Sequence, residues 1–355
     1  MPEPLLDVRD LRVTFRSRRG EARAVDGLSF SLAPGEVLGI VGESGSGKSV
    51  SMMSMLKLIR DPNCTVEGQA LFRGRDLVAM DDDELRDLRG RDIAMIFQDP
   101  MTSLTPVYTV GWHIAEALGA HTRVSRSVAR ARAVELLEEV GIPDPHRRVD
   151  DYPHQFSGGM RQRAVIAMGL ANNPALLIAD EPTTALDVTT QAQVLDLLRR
   201  LRRDHGSSIV LITHDMGVVS QIADRVLVMY AGRAVEQGPK TGVFHDPHHP
   251  YTWGLLGSVP RARAPRVRRL PAIPGSPASA LTAHAGCPFA PRCRHRHDRC
   301  DEQPPLVGGE HADACWLPSE DRRLLRQQSV AAAVSAGDPG QLEVVPSDVQ
   351  MLADE

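Results

Sequence analysis

The sequence lacks the features of several classes of protein. No apolar run approaches the roughly 20 residues needed to span a bilayer, and residues 1–10 have no basic start followed by an apolar stretch, as a signal peptide would. The net charge of −4 leaves no domain-wide basic excess to neutralise nucleic-acid phosphates. We therefore expect a cytosolic protein that does not bind nucleic acid, with its five cysteines reduced or metal-bound.

Lysine is also scarce, with three lysines among 41 basic residues, and one of the three is Lys48. It lies in a segment that fits the phosphate-loop pattern G-x-x-x-x-G-K-[ST]. The apolar run Val37–Val41 before this segment predicts a strand, and Val50–Ile59 after it predicts a helix. In that context the glycines let backbone N–H groups point at phosphates, Lys48 reaches the β and γ oxygens, and Ser49 can hold Mg²⁺. The residues predicted to bind the nucleotide here are Gly42, Glu43, Ser44, Gly45, Ser46, Gly47, Lys48 and Ser49.

The pattern of elements predicts an α/β fold with an inserted helical subdomain. Strand-like Leu11–Phe15 and Leu28–Leu32 precede the phosphate loop, which indicates an antiparallel edge. Helical spacing replaces the α/β pattern from Thr109 to Gln155. The remaining predicted elements are helices Val110–Leu118 and Val128–Val140, strand Ala175–Ala179, helix Thr189–Arg202, strand Ser208–Ile212, a short helix near Val218, and strand Val226–Met229.

The predicted elements and the composition divide the chain into regions. Residues 1–258 are expected to form a nucleotide-binding domain, with the helical subdomain inserted at about 100–172. Residues 259–280 are rich in Pro and Arg and predict a linker. A small four-cysteine region follows at 281–320, and the composition of residues 321–355 predicts a disordered tail.

Two strand ends carry candidate catalytic groups. The apolar run Leu176–Ala179 ends in Asp180 and Glu181, which predicts one Mg²⁺ ligand and one general base beside the attacking water. His214 follows the next predicted strand and is expected at the same sheet edge, near the γ-phosphate. A lone histidine is more often structural, but its position after the strand favours a site role.

The segment Phe156–Arg163, with sequence FSGGMRQR, contains the most discriminating motif. Ser157, Gly158 and Gly159 at a helix start offer a hydroxyl and open backbone N–H groups to an anion. Alone, such a segment is more often a helix cap than a ligand site.

Together with Gln98 and Asp187, these motifs resemble the nucleotide-binding subunit of ABC transporters over about residues 5–258. The resemblance implies that Phe15 stacks on adenine and that Gln98 senses Mg²⁺ and the transport subunit. It further implies that Asp187 links the two sites of a dimer, and that Ser157 and Gly159 close over ATP held by the partner's loop. Met160, Phe156 and Phe15 depart mildly from the usual residues and remove no catalytic group, so we expect a competent ATPase.

The residues that make up these motifs are similar to those of the dipeptide/oligopeptide importer branch, which includes nickel and glutathione importers. Within that branch, the similarity is to the "D" subunits. This implies ATP-driven import with a second ABC ATPase subunit, two membrane permease subunits and an extracytoplasmic substrate-binding protein. The chain would then lie peripherally at the cytoplasmic face of the membrane. Import of nickel or another solute, a soluble non-transport ABC ATPase, and a subunit without turnover remain alternatives.

Four of the cysteines form a C-terminal set, Cys287, Cys293, Cys300 and Cys315, separated by five, six and fourteen residues. No C-x₂₋₄-C pair of the kind found in most structural zinc sites is present. Four thiolates favour zinc or an iron–sulfur cluster. We expect a [4Fe-4S] cluster, as the resemblance implies, with zinc or unligated or paired thiols as alternatives.

Overall fold

The structure is a computed structural model. It describes residues 3–18, 20–184, 186–258, 273–278 and 285–335, with only the backbone given for 101 and 329–335. Within these residues no helix is long and apolar enough to cross a membrane.

Strands and helices alternate through most of the described chain. The strands are β1 Leu6–Ser17, β2 Gly20–Leu32, β3 Val37–Val41, β4 Cys64–Phe72, β5 Arg75–Asp76, β6 Ile93–Ile96, β7 Leu176–Asp180, β8 Ser208–Thr213, β9 Arg225–Tyr230, β10 Arg233–Pro239 and β11 Ala312–Asp313. The helices are α1 Lys48–Met55, α2 Asp82–Leu88, α3 Pro100–Ser103, α4 Val110–Gly119, α5 Arg126–Glu139, α6 Pro145–Arg148, α7 Gly158–Gly169, α8 Val188–His205, α9 Met216–Ile222, α10 Lys240–His245, α11 Pro250–Gly257 and α12 Ser319–Ser335. Short 3₁₀ turns occupy Pro153–Gln155, Ala290–Arg292 and Asp298–Asp301.

The larger sheet has the strand order β11-β10-β9-β3-β8-β7-β6. Strands β9, β3, β8, β7 and β6 run parallel, β10 is antiparallel to β9, and β11 is antiparallel to β10. All five residues of β3 are buried, because helices or the second sheet cover both faces of a parallel sheet. Leu38 and Ile40 point into one hydrophobic core and Val37 and Val41 into the other, as the two-residue period of a strand requires.

The smaller sheet is antiparallel, with the order β2-β1-β4-β5. Strand β1 pairs with β2 on one side and with β4 on the other. Its inward residues share a core with α1 and with one face of the larger sheet. The predicted α/β class with an antiparallel edge and a helical insert is confirmed.

The helical insert is formed mainly by α4, α5 and α7, which pack against each other. Thr109 and Ser125 cap α4 and α5, since each hydroxyl accepts a backbone N–H of the first turn. Helix α5 ends before Gly141, which adopts the left-handed conformation (φ 73°). The predicted helices 110–118 and 128–140 are therefore confirmed within two residues.

Two predicted segments differ from the structure. Helix α1 stops at Met55 instead of Ile59, because Lys57 is left-handed (φ 48°). The predicted disordered tail is wrong for residues 321–335, which belong to α12. That helix is held by Arg322 on Asp313 (2.6 Å) and Arg326 on Asp246 (3.1 Å). Residues 336–355, and 259–272 and 279–280 of the predicted linker, lie outside the described residues.

Candidate nucleotide site

The candidate site residues meet at one edge of the larger sheet. Strands β3, β6, β7 and β8 are parallel neighbours, so their carboxyl ends face the same side. The phosphate loop follows β3, Gln98 follows β6, Glu181 follows β7 and His214 follows β8. Ligands of open α/β sheets bind in the crevice outside these ends.

The phosphate loop adopts a conformation that requires glycine. Gly42, Gly45 and Gly47 have φ values of 156°, 79° and 96°. A Cβ on Gly42 would lie 2.2 Å from the Met229 carbonyl oxygen, and one on Gly47 would lie 2.3 Å from that of Ala24. The loop is therefore packed against backbone that cannot rotate away, which keeps its own backbone in one shape.

The Lys48 ammonium is held inside this loop. Its Nζ donates hydrogen bonds to the carbonyl oxygens of Gly42 (2.8 Å) and Glu43 (3.0 Å). Burial lowers the pKa of Lys48, and the nearby carboxylates of Glu181 and Asp180 oppose that shift. The Lys48 side chain thus places a compact positive charge inside the loop, and its two hydrogen bonds hold that charge in position.

Ser49 and Asp180 are suited to hold a divalent cation. The Ser49 hydroxyl donates to Oδ1 of Asp180 at 2.8 Å, across 131 residues of chain. Both groups are oxygen donors, which Mg²⁺ prefers. Burial raises the pKa of Asp180, and the Ser49 hydrogen bond acts in the opposite direction. In the adjoining loop the Ser46 hydroxyl is buried and has no hydrogen-bond partner among the described residues, which fits a cradle shaped for an anion.

Glu181 is at the centre of a hydrogen-bonded group. Gln98 Nε2 donates to its Oε2 (3.1 Å), Thr184 Oγ1 donates to the same oxygen (2.9 Å), and His214 Nδ1 lies 3.1 Å from Oε1. Burial raises the pKa of Glu181, but the hydrogen bonds from His214 and Thr184 outweigh it and the net shift is downward. The side chain is therefore an oriented carboxylate at neutral pH.

The backbone of Glu181 is also unusual. Its φ of 47° is left-handed, a conformation that costs a non-glycine residue free energy and is concentrated at functional sites. The Glu181 N–H donates to the Ile212 carbonyl of β8 at 2.8 Å, which holds the strained residue in place.

The Ser-Gly-Gly motif begins α7, as predicted. Ser157 is the N-cap, and its Oγ accepts the Met160 N–H at 3.3 Å. Ser157 and Gly158 are exposed. Helix α7 packs on α4 and α5 of the helical insert and on β6. The motif therefore presents an open helix start toward solvent.

Asp187 and the motif meet through Thr190. Asp187 caps α8, with Oδ1 accepting the Thr190 N–H (3.0 Å) and Oδ2 accepting the Thr190 hydroxyl (2.7 Å). These hydrogen bonds lower the pKa of Asp187. A Cβ on Gly159 would lie 2.5 Å from Cγ2 of Thr190, whereas one on Gly158 would meet nothing within 4 Å.

This contrast predicts different outcomes for two adjacent substitutions. Gly159→Ala should lower the free energy of unfolding by about 1–3 kcal/mol, because Thr190 is bonded to Asp187 and cannot rotate freely. Gly158→Ala should leave it unchanged or raise it by about 0.5–1 kcal/mol, since alanine favours helix over glycine. Urea unfolding of the isolated subunit measures both values. Equal losses for the two variants would contradict this packing.

Phe15 is half-buried on β1, opposite Ala22 of β2 and Cys64 of β4. It packs against the core under the smaller sheet. Its expected stacking on adenine remains a prediction.

The four C-terminal cysteines line one cavity, together with apolar residues that include Phe289 and Leu317. All four are free thiols. Burial raises the pKa of Cys293 to about 11 and that of Cys315 to about 12, and also raises that of Cys287. A soft metal would therefore have to displace protons from at least these three sulfurs.

A separate group of candidate ligands lies elsewhere in the described residues. One ligand atom each of Glu236, His248 and His311 lies within 4.8 Å of the other two.

Sequence reasoning missed three contacts. Thr184, which binds Glu181, lies three residues after it in the chain, a proximity that could have suggested the contact. Arg292, beside Cys293, reaches Glu43 of the phosphate loop, and the Tyr251 hydroxyl accepts the Glu43 N–H at 2.8 Å. No pattern in the sequence links residues so far apart.

Comparisons with known proteins agree with this geometry. Residues 25–184 match the family described as ABC transporter, and residues 235–300 match the family described as Oligopeptide/dipeptide transporter, C-terminal region. The Oligopeptide transport ATP-binding protein OppD of Bacillus subtilis is 51% identical over 321 residues, which cover 89% of this chain and 90% of that protein. The Dipeptide transport ATP-binding protein DppD of the same organism is 48% identical over 340 residues, 95% of this chain and 99% of that protein.

A solved structure shows the same fold. It is the dimeric post-hydrolysis state of the ATP-binding cassette MJ0796 bound to ADP and phosphate, with a TM-score of 0.60 and 29% identity, covering 66% of this chain and 98% of that one. Taken with the phosphate loop, the oriented Glu181 and the relatives at about half identity, this similarity means that the chain is an ABC-type ATPase and belongs to the ATP-binding subunits of the oligopeptide/dipeptide ABC transporter family.

Proposed function

We propose that this subunit hydrolyses ATP to power the import of di- and oligopeptides through a membrane transporter. The observation that carries the hydrolytic part is the Glu181 carboxylate, oriented by Gln98, Thr184 and His214 at the same sheet edge as Lys48. Support for peptide as cargo comes from the names of the relatives, which are ATP-binding proteins of oligopeptide and dipeptide transport.

In the proposed reaction each group has one task. Lys48 neutralises charge on the β- and γ-phosphate oxygens, and the glycine-rich loop donates backbone N–H groups to them. Ser49 and Asp180, with Gln98 nearby, hold Mg²⁺, which when bound offsets the negative charge of the phosphates. Glu181 accepts a proton from the attacking water as the new P–O bond forms and the bond to ADP breaks.

The site is proposed to be completed by a second ATPase subunit, either a homologue or a second copy. Ser157 and Gly158 are exposed at an open helix start, a geometry suited to a phosphate offered from another chain. The related cassette is dimeric with ADP and phosphate bound. In this proposal Ser157, Gly158, Gly159 and Asp187 act on the partner's nucleotide, so ATP binding closes the dimer and hydrolysis reopens it.

An exposed apolar patch gives a candidate contact for a membrane subunit. Val107, Tyr108 and Trp112 are 69%, 43% and 44% exposed, and the rings of Tyr108 and Trp112 stack at 3.9 Å. The patch follows Gln98 in the chain and includes Trp112, which lies in α4 of the helical insert. Aromatic clusters of this kind are enriched at protein interfaces. We place the chain peripherally at the cytoplasmic face, under two permease subunits fed by a substrate-binding protein.

The regions keep their predicted assignments in this proposal, with the nucleotide-binding domain at 1–258 and the cysteine region at 281–320. We propose that Cys287, Cys293, Cys300 and Cys315 hold a [4Fe-4S] cluster, with zinc as the alternative. The cavity that all four cysteines line supports a metal group that they hold in common. Such a group would supply cross-linking of a small C-terminal fold, since all four ligands come from this region.

Anaerobic purification tests the metal assignment. We expect about four iron atoms per chain with a broad visible absorption band, and Cys293→Ser should lose most of the iron because one of four ligands is gone. Cys64→Ser is the matched control, as Cys64 lies on β4, and should keep the iron. One zinc per chain without iron would establish the alternative.

Uptake measurements test the cargo. In cells where this chain is the sole peptide-importer ATPase, labelled di- and tripeptides should enter with the wild-type chain and not with an empty vector. Labelled nickel should enter equally in both. If nickel uptake instead required the wild-type chain and peptide uptake did not, the chain would remain a transport ATPase with nickel as its cargo. If neither uptake differed between the wild-type chain and the empty vector, a non-transport ATPase would be favoured.

A further inference from the structure

The C-terminal cysteine region contacts the phosphate loop directly. Arg292 is the residue before Cys293. Its guanidinium donates a hydrogen bond to each oxygen of the Glu43 carboxylate, at 2.6 Å (Nη1 to Oε2) and 3.0 Å (Nη2 to Oε1). The Arg292 side chain is 5% exposed and that of Glu43 is 25% exposed. The pair joins residues 249 positions apart in the chain.

The guanidinium is itself fixed on its other sides. Its Nε donates to the Pro274 carbonyl at 2.8 Å, and its Nη1 also donates to the Tyr230 hydroxyl at 3.3 Å. A planar guanidinium with all these partners has little freedom to rotate. Its orientation therefore depends on the segment that carries it, between Cys287 and Cys293.

Glu43 connects this contact to the nucleotide site. Its carbonyl oxygen accepts the Lys48 ammonium at 3.0 Å, and its N–H donates to the Tyr251 hydroxyl at 2.8 Å. Phe289, also between Cys287 and Cys293, packs edge-on against Tyr230 with ring centres 5.3 Å apart, and its ring lies 5.4 Å from that of Tyr251. Two side chains of the cysteine segment thus reach the groups that hold the loop.

We propose that Arg292 is a positioning residue for the phosphate loop, so that the ATP affinity of this subunit depends on how the C-terminal cysteine segment is seated. Two effects follow from the geometry. The bidentate contact fixes the Glu43 side chain, and it neutralises a carboxylate that would otherwise lie beside bound phosphates. The inference rests on the proposed nucleotide role of the loop but not on the cargo.

The two effects predict a suppressor. Arg292→Met leaves Glu43 charged and free beside the phosphates, and we expect MgATP affinity to fall at least tenfold. Adding Glu43→Gln removes the uncompensated charge and should restore affinity to within about threefold of the wild type, as expected for residues that act as a coupled pair. Arg292→Lys keeps the positive charge but loses the two-pronged contact of the guanidinium. Its MgATP affinity should therefore lie between that of Arg292→Met and that of the double variant.

The experiment measures binding of a fluorescent ATP analogue to the isolated full-length subunit, purified with whatever metal it carries. The control is Arg130→Met, which breaks an exposed bidentate pair with Asp150 in the helical insert and should leave affinity unchanged. Unchanged affinity in Arg292→Met, or no recovery in the double variant, would overturn the proposal. If Arg292→Met does not fold, Arg292→Lys decides, with wild-type affinity as the contradicting result.

A second readout distinguishes positioning from simple damage. Because coupling between sites is reciprocal, MgATP should slow amide hydrogen exchange in residues 285–300 of the wild type. The slowing should be smaller in the double variant, which loses the Arg292–Glu43 contact and keeps only the Phe289 contacts with Tyr230 and Tyr251, although that variant binds ATP. Equal slowing in both proteins would contradict the link, while leaving the peptide-import proposal to the uptake measurements.

Discussion

Replacing Glu181 with Gln should reduce ATP turnover by about 10²–10⁴-fold, the usual contribution of a positioned general base, without loss of ATP binding. Glutamine keeps the size and most of the hydrogen bonds of the side chain but cannot take a proton at neutral pH. Gln98 and Thr184 can reorient their polar atoms to an amide, so the local structure should persist. The ATP-bound dimer should therefore accumulate, because it closes and is not reopened by hydrolysis.

Two measurements check this expectation: phosphate release by the purified ATPase, and size-exclusion chromatography with MgATP. Glu135→Gln is a suitable control, since that carboxylate is exposed in the helical insert and pairs with Arg132 at 3.3 Å. It should change neither turnover nor dimer formation. Turnover of Glu181→Gln at the wild-type rate would remove Glu181 from the role of base.

Replacing Lys48 with Ala should weaken MgATP binding by about 100-fold, because each hydrogen bond to a charged group contributes about 1.5–3 kcal/mol. The substitution also frees the carbonyls of Gly42 and Glu43, which Lys48 now binds at 2.8 and 3.0 Å. The loop would lose both its charge and part of its shape.

Lys57→Ala is the matched control for this prediction. Lys57 is another of the three lysines and lies just beyond α1, where its Nζ donates to the Met80 carbonyl. Titration with a fluorescent ATP analogue should show wild-type affinity for that variant and a large loss for Lys48→Ala. Similar affinities for the two variants would mean that the Lys48 ammonium does not contact the phosphates.

Local patterns in the sequence were sufficient to predict much of the nucleotide site. Strand β3 was predicted with its correct bounds, because a five-residue apolar run before a glycine-rich loop has few other solutions. The position of His214 beside Glu181 follows from the rule that parallel strands end at one edge, whereas Gln98 was assigned only through the family resemblance. The contacts agree, since both Gln98 and His214 bind Glu181.

Other features depend on tertiary contacts that no short pattern encodes. The Arg292–Glu43 pair exists only because α11 and the cysteine segment fold back over the loop. Composition predicts disorder from residue 321 onward, yet in α12 Arg322 binds Asp313 and Arg326 binds Asp246, which is 80 positions away in the chain. The left-handed backbone of Glu181 is likewise set by a hydrogen bond to β8, not by its own preference.

If ATP hydrolysis at Glu181 drives peptide import, the reconstituted transporter should couple the two processes. The complete transporter, with this chain as one ATPase subunit, is placed in lipid vesicles and supplied with MgATP and its substrate-binding protein. We predict that the peptide-loaded binding protein raises the rate of ATP hydrolysis and that labelled peptide crosses the membrane. Both should be lost with Glu181→Gln. Peptide transport that continues at the wild-type rate in that variant would contradict the account.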